Sequence, residues 1–367
     1  MRLRFARSSG PGSPVRKLIL AGLIAGLAVA AVATATLAGA TTRQSSTSGG
    51  SSSMAWHATS LTSSRSSNNT QLLGISDTGV ITGFAGSGNS TQGFTVSGSS
   101  HNNWSWMRMP GAVQTTVVAV SANGTVIVGF FVTRTGAHYG FVRSNGRSWS
   151  VAYPHSSFSQ LTSVNNNGMA TGWYRDSSGR TRSFLYNTRT RVFIIIVVPM
   201  RATTVIVTGI NNTNTIVGFI VTGRVTIAFV ITRGRFITLV FGNRTNTRAM
   251  GVNNSGTVVG VFVDVRGRSH GFMWTSTGMH QIDAPWGSRS TVITGINNRG
   301  QLVGVFVDSR GRTRGVVIVF VVVQSTNFWW NGRTMTPMTP PSGTPVQMPG
   351  SSSAADNTQN ANSGHHF

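Results

Sequence analysis

One short phrase returns six times along the chain, and it restricts the fold more than any other feature. It consists of an apolar residue, a turn of the type Asn-Asn-x-Gly or a relative, and a β-branched run ending in glycine. The copies begin at Gly74, Ala119, Ser163, Gly209, Gly251 and Gly295, and their closing glycines, Gly83, Gly129, Gly172, Gly218, Gly260 and Gly304, lie 42 to 46 residues apart. Asn and Gly enter left-handed backbone conformations at little cost, so each copy reads as a tight turn between two strands. A strand-built period of this length is that of a β-propeller blade.

Repeat five shows the internal plan. Strands are expected over 249–252, 257–264, 269–274 and 279–284, with Pro285 stopping the last. An Asp-x-Arg-Gly-Arg turn joins the second strand to the third at 264–268, recurs at 308–312, and has a looser form at 176–180. Third strands keep an aromatic at Phe94, Phe141, Phe184, Phe229 and Phe272, where repeat six has Val316. A four-stranded unit of this size cannot bury both faces alone, whereas stacking such units in a ring covers them. The expected fold is therefore all-β, a propeller of six blades of about 44 residues over 55–340. Seven blades with a degenerate last one, or an open β-solenoid, are the alternatives. Either 56–61 or 335–338 is placed to supply the strand that completes the ring.

Outside the repeats the sequence changes character. A basic flank from Arg2 to Lys17 precedes an apolar stretch over 18–37, and Ala38-Gly39-Ala40 fits a small-x-small cleavage site. Residues 1–40 read as a signal peptide, with an N-terminal membrane anchor as the alternative. Residues 41–54 read as a Ser/Gly/Thr-rich linker and 341–367 as a disordered C-terminal tail. The expected location is secreted or cell-surface, with membrane contact only through an uncleaved N-terminal segment.

Several motifs resemble those of the HAF-repeat extracellular proteins. They are Gly-Ile-Asn-Asn-Arg-Gly-Gln-Leu-Val-Gly at 295–304, Arg-Ser-His-Gly-Phe-Met-Trp at 268–274, and Phe-Trp-Trp-Asn-Gly-Arg-Thr-Met-Thr at 328–336. The second stands close to that family's His-Ala-Phe-Leu-Trp, although the histidine is kept only at His270 and, shifted by one, at His138. The resemblance covers about 55–340 and implies a secreted or surface-exposed, propeller-like repeat protein. It carries no established chemistry.

The residues themselves offer little catalytic equipment. There is no Cys, which excludes disulfides and thiolate metal sites. Acidic residues number 6, all Asp, against 30 Lys and Arg, for a net charge of +24. Asp176, Asp264 and Asp308 sit in hairpin turns, where a carboxylate bonds its own backbone. The histidines show no metal-ligand spacing, and no phosphate-binding glycine loop is present. No cofactor and no specific nucleic-acid recognition are expected. What remains is a cationic surface with interleaved tryptophans, suited to anionic polymers or to stacking on sugars. The candidate ligand-binding residues are Trp173, Trp274, Trp286, Arg175, Arg266, Arg268, Arg310 and Arg312, with Trp286 expected to be exposed. The function expected is a binding or scaffolding module for an envelope polysaccharide, another anionic polymer or a surface protein. A structural matrix or spacer role and a channel-centred hydrolase or lyase are the competing readings.

Overall fold

The computed structural model describes residues 53–66, 68–98, 100–239, 246–286, 288–323, 328–330 and 335–337. These form a β-propeller without α-helix among the described residues. The segments expected to be a leader (1–40) and a tail (341–367), and nearly all of the expected linker (41–54), lie outside them.

Strand β1 (Ser53–Leu61) precedes the repeats. Repeat one contributes β2 (Thr70–Ile75), β3 (Ile81–Ala85), β4 (Gln92–Ser97) and β5 (Asn103–Met107). Repeat two contributes β6 (Ala112–Val120), β7 (Val126–Thr133), β8 (His138–Ser144) and β9 (Arg147–Val151). Repeat three has β10 (Ser159–Val164), β11 (Met169–Arg175), β12 (Thr181–Asn187) and β13 (Phe193–Ile196). Repeat four has β14 (Thr204–Ile210), β15 (Ile216–Thr222), β16 (Val225–Thr232) and β17 (Arg235–Leu239). Repeat five follows with β18 (Thr247–Val252), β19 (Val258–Val263), β20 (Ser269–Thr275) and β21 (Gly278–Ile282). Repeat six has β22 (Ser290–Ile296), β23 (Leu302–Val307) and β24 (Thr313–Val323). Two short strands, β25 (Phe328–Trp330) and β26 (Met335–Pro337), pair with each other.

Four repeats stand as separate four-stranded sheets, each an antiparallel meander. Repeats three and four share one eight-stranded sheet, joined by a single parallel bridge, Thr181↔Thr204. Similar isolated bridges link Asn69 to Thr313, His138 to Phe158 and Thr226 to Asn246 across other repeat boundaries. The fourth strand of repeat six is β1, which pairs with β24 from Ser53↔Val323 to Leu61↔Gly315. Of the two segments considered for this role, the N-terminal one fills it.

The recurring glycines have a steric cause. In repeats one to five the closing glycine on the second strand faces the third-strand aromatic, as in Gly260↔Phe272 and Gly83↔Phe94. A Cβ on Gly260 would lie 2.1 Å from the Arg248 carbonyl oxygen and 2.8 Å from the Phe272 ring. Phe94, Phe141, Phe184, Phe229 and Phe272 are fully buried, and Val316 takes their place in repeat six. A second small-residue position arises from a β-bulge in every first strand, at Gly74, Ala119, Ser163, Gly209, Gly251 and Gly295. There the innermost strands converge: a Cβ on Gly251 would meet Gly295 Cα at 3.3 Å, and one on Gly295 would meet Gly74 Cα at 3.2 Å.

Candidate binding face

Strands alternate in direction within each repeat, so the turns fall at two ends of the propeller. Turns between first and second strands, and between third and fourth, lie at one end. Turns between second and third strands lie at the other, together with the links between repeats. The first end carries the Asn-Asn turns and the second carries the Asp-x-Arg-Gly-Arg turns.

The Asn end is a hydrogen-bonded belt. Asn211 Oδ1 accepts the N–H groups of Thr213 and Thr215, which closes its own turn. Its Nδ2 then donates to the Asn253 carbonyl at 2.9 Å. Asn165 reaches the Asn211 carbonyl, Asn253 that of Asn297, and Asn297 that of Ser76, in the same way. The second asparagine makes a parallel series: the N–H of Asn166, Asn212 and Asn254 donates to the side-chain oxygen of Asn212, Asn254 and Asn298. Asn298 closes the circle on Asp77 at 2.8 Å. These asparagines were legible as turn formers, but their bonds to the next repeat were not. Inside the belt the axis retains a cavity of about 80 Å³, lined mainly by the bulged first strands. Neither a carboxylate nor an imidazole is among its described lining residues.

At the other end each turn closes on itself. Asp264 Oδ1 accepts the N–H of Arg266 and Arg268, while Oδ2 lies 3.2 Å from Arg268 Nε and 3.3 Å from His270 Nε2. Asp308 does the same with Arg310, Arg312 and Arg314, and Asp176 with Ser178, Arg180 and Arg182. The bonds from Ser178 and the Arg180 N–H hold the Asp176 carboxyl down at about 2. Burial pushes Asp308 up, but Arg314, Arg312 and Arg310 outweigh it and keep it at about 2. Asp264 is lowered as well, above all by the Arg268 N–H. His270 also meets Asp283 through Nδ1 at 2.9 Å, which ties the turn to the end of β21.

These carboxylates neutralise only part of the cationic charge. Every repeat but the first places an exposed arginine in the turn between second and third strands: Arg134, Arg180, Arg224, Arg266 and Arg310. Among the described residues, no carboxylate lies within ion-pair distance of these guanidinium groups.

The candidate residues divide accordingly. Arg266, Arg268, Arg310 and Arg312 occupy this end, although Arg268 and Arg312 are engaged by Asp264 and Asp308. Arg175 lies at the end of β11 with its guanidinium over the Phe158 ring, 5.1 Å from the centroid. Trp173 is 1% exposed and packs on Phe158, Ile206 and Phe219, so its ring is core and offers no stacking face. Trp286 is half-buried, with its ring 5.0 Å from that of Phe306, contrary to the exposed position expected for it. Trp274 lies near the Asn end of β20, against the core shared by repeats four and five. The tryptophans therefore serve packing first, and the arginines are what the surface presents.

Near the start of β8, His138 stacks on Phe158 at 4.2 Å and its Nδ1 is 3.4 Å from Gln160 Nε2. Burial, followed by the nearby Arg175 charge, lowers its pKa to about 4.

No protein-family model matches the chain, and no curated protein does. Among solved structures, the chain is similar to the β-propeller domain of the Trilobed protease from Pyrococcus furiosus (TM-score 0.43, 10% identity, covering 75% of this chain and 99% of that one). It is also similar to TolB from Acinetobacter baumannii (TM-score 0.44, 9% identity, covering 68% and 63%). A third likeness is to the Aleuria aurantia lectin (TM-score 0.36, 12% identity, covering 64% and 81%).

Proposed function

We propose that this chain is a secreted or surface-displayed binding module that holds an anionic polymer, of the envelope-polysaccharide kind, on the Arg-bearing end of its propeller. The observation that carries the reading is the recurrence of an exposed, carboxylate-free guanidinium at the same turn: Arg134, Arg180, Arg224, Arg266 and Arg310. Repetition of one cation around a ring matches repetition of charge along a chain, and guanidinium groups bind carboxylate, phosphate and sulfate with paired hydrogen bonds. The leader-like N-terminus and the HAF-like motifs support the location and the kinship. In this reading the propeller has six blades, the eight-stranded sheet counting as two. Its bridge Thr181↔Thr204 has isolated counterparts at other repeat boundaries, which supports that count.

Retention of the full chain on immobilised polygalacturonate, with dextran as the neutral control, tests the reading. Retention by the acidic polymer alone, falling as salt rises and weakened in R266Q/R310Q, is the expected result. Equal behaviour on dextran, or no retention at low salt, would refute it.

A further inference from the structure

We infer that the boundary between repeats three and four holds a specific subsite for an oxyanion carried on a sugar chain, a carboxylate or a phosphate. This inference rests on the polymer-binding reading above. Each side of the bridge Thr181↔Thr204 is flanked by residues of one groove. Arg180 and Arg182 stand on either side of Thr181, and Arg201, Ala202 and Thr203 lead into Thr204. The groove they line has a volume of about 630 Å³, within the usual range of ligand sites, and no acidic residue is among its described lining residues.

Three arginines from two chain segments thus line one space. Arg180 and Arg201 are exposed, and Arg182 touches Asp176 only through Nε at 3.4 Å. Asp176 remains ionised and offsets one charge, which leaves the groove net cationic. Its own turn holds that carboxylate through the N–H groups of Ser178 and Arg180, so it is fixed beside the groove. Met200, 39% exposed, and the half-buried Ala202 add apolar surface that the C–H face of a pyranose ring can cover. A nucleic-acid strand fits less well, because no aromatic side chain lines the groove to stack a base. Unlike the other turn arginines, Arg180 here stands with two further arginines beside apolar surface, so the site recognises a short ligand as well as a polymer.

Calorimetric titration of the full chain separates these ideas. The probes are trigalacturonate for the carboxylate source, glucose 6-phosphate for the phosphate source, maltotriose as neutral control and a dodecathymidylate strand. Saturable binding of trigalacturonate or glucose 6-phosphate, but not of maltotriose, is expected. Affinity should fall about tenfold for each guanidinium removed in R180Q and R201Q. R180K/R201K should recover only part of the loss, since an ammonium keeps the charge without the fork. R233Q/R235Q, in the exposed hairpin between β16 and β17 at the opposite end, should leave the small-ligand affinity unchanged.

If polygalacturonate is retained but R180Q/R201Q binds the small anions as the unmodified chain does, the subsite is refuted and the polymer reading survives. Failure of the small anions and the polymer alike would sink both. Tighter binding of the oligonucleotide than of trigalacturonate, lost in R180Q/R201Q, would overturn the sugar assignment.

Discussion

The two ends of this propeller are built from equally short turns but solve different problems. At the Asn end each turn bonds itself and then the next repeat, through Asn165, Asn211, Asn253 and Asn297 in succession. At the Arg end each carboxylate satisfies its own turn and its nearest basic neighbours, and the remaining guanidinium groups point to solvent. One end spends its polar groups on holding the ring together, and the other leaves them available to a partner. The Asn end is not without charge: Arg147, Arg189, Arg191, Arg233 and Arg235 are exposed in outer hairpins of repeats two to four, and Arg299 lies in the last Asn-Asn turn. All but Arg299 sit on three neighbouring repeats, so overall charge and ringed charge can be told apart.

The largest expected effect comes from the scaffold. Gly260→Ala drives a Cβ to 2.1 Å from the Arg248 carbonyl oxygen, which requires the first and second strands of repeat five to separate. A loss of about 3 kcal/mol in chemical denaturation is expected. A loss below about 0.5 kcal/mol would mean that the strands are not so closely apposed. Next, Asn211→Ala removes bonds to Thr213 and Thr215 and the bond to the Asn253 carbonyl. It should cost about 2 to 3 kcal/mol while leaving polygalacturonate retention intact. A stability change no greater than that of an exposed Asn-end residue would break the contrast between the Asn belt and the Arg end.

A smaller effect concerns pH. In the fold the pKa of His138 is lowered from 6.5 to about 4. The unfolded chain therefore binds the proton more readily, and this contribution to stability, present above 6.5, is lost as pH falls from 6.5 toward 4. With His138 only partly buried, about 1 to 2 kcal/mol is expected, and His138→Gln should flatten that slope. Asp176 and Asp308, both held at about 2, act in a separate window: their contribution is lost from about 4 downward. A slope between pH 6.5 and 4 that persists in His138→Gln would assign it to another group.

Much of the scaffold was legible in the sequence. The period, the turn residues and the third-strand aromatics locate the strands of repeat five to within two residues, because each signal follows from a local backbone requirement or a burial period. The bonds that Asn165 or Asn253 makes to the next repeat were not legible, since a turn-forming asparagine and a ring-closing one have the same sequence signature. The tryptophans misled for a similar reason. Composition shows that Trp173 and Trp286 are large and amphipathic, but only the packing shows that Trp173 is enclosed with Phe158 and Phe219 and that Trp286 rests against Phe306. The groove between repeats three and four was hidden because Arg180 and Arg201 meet only through the pairing of Thr181 with Thr204.

The most direct test compares two charge-matched triple variants for the salt concentration at which each leaves immobilised polygalacturonate. R134Q/R266Q/R310Q removes turn arginines from the Arg end, and R233Q/R235Q/R299Q removes the same charge from the Asn end. The account predicts earlier elution for the first and nearly unchanged elution for the second. Equal shifts in both would show that net charge alone, not the ring of turn arginines, holds the polymer.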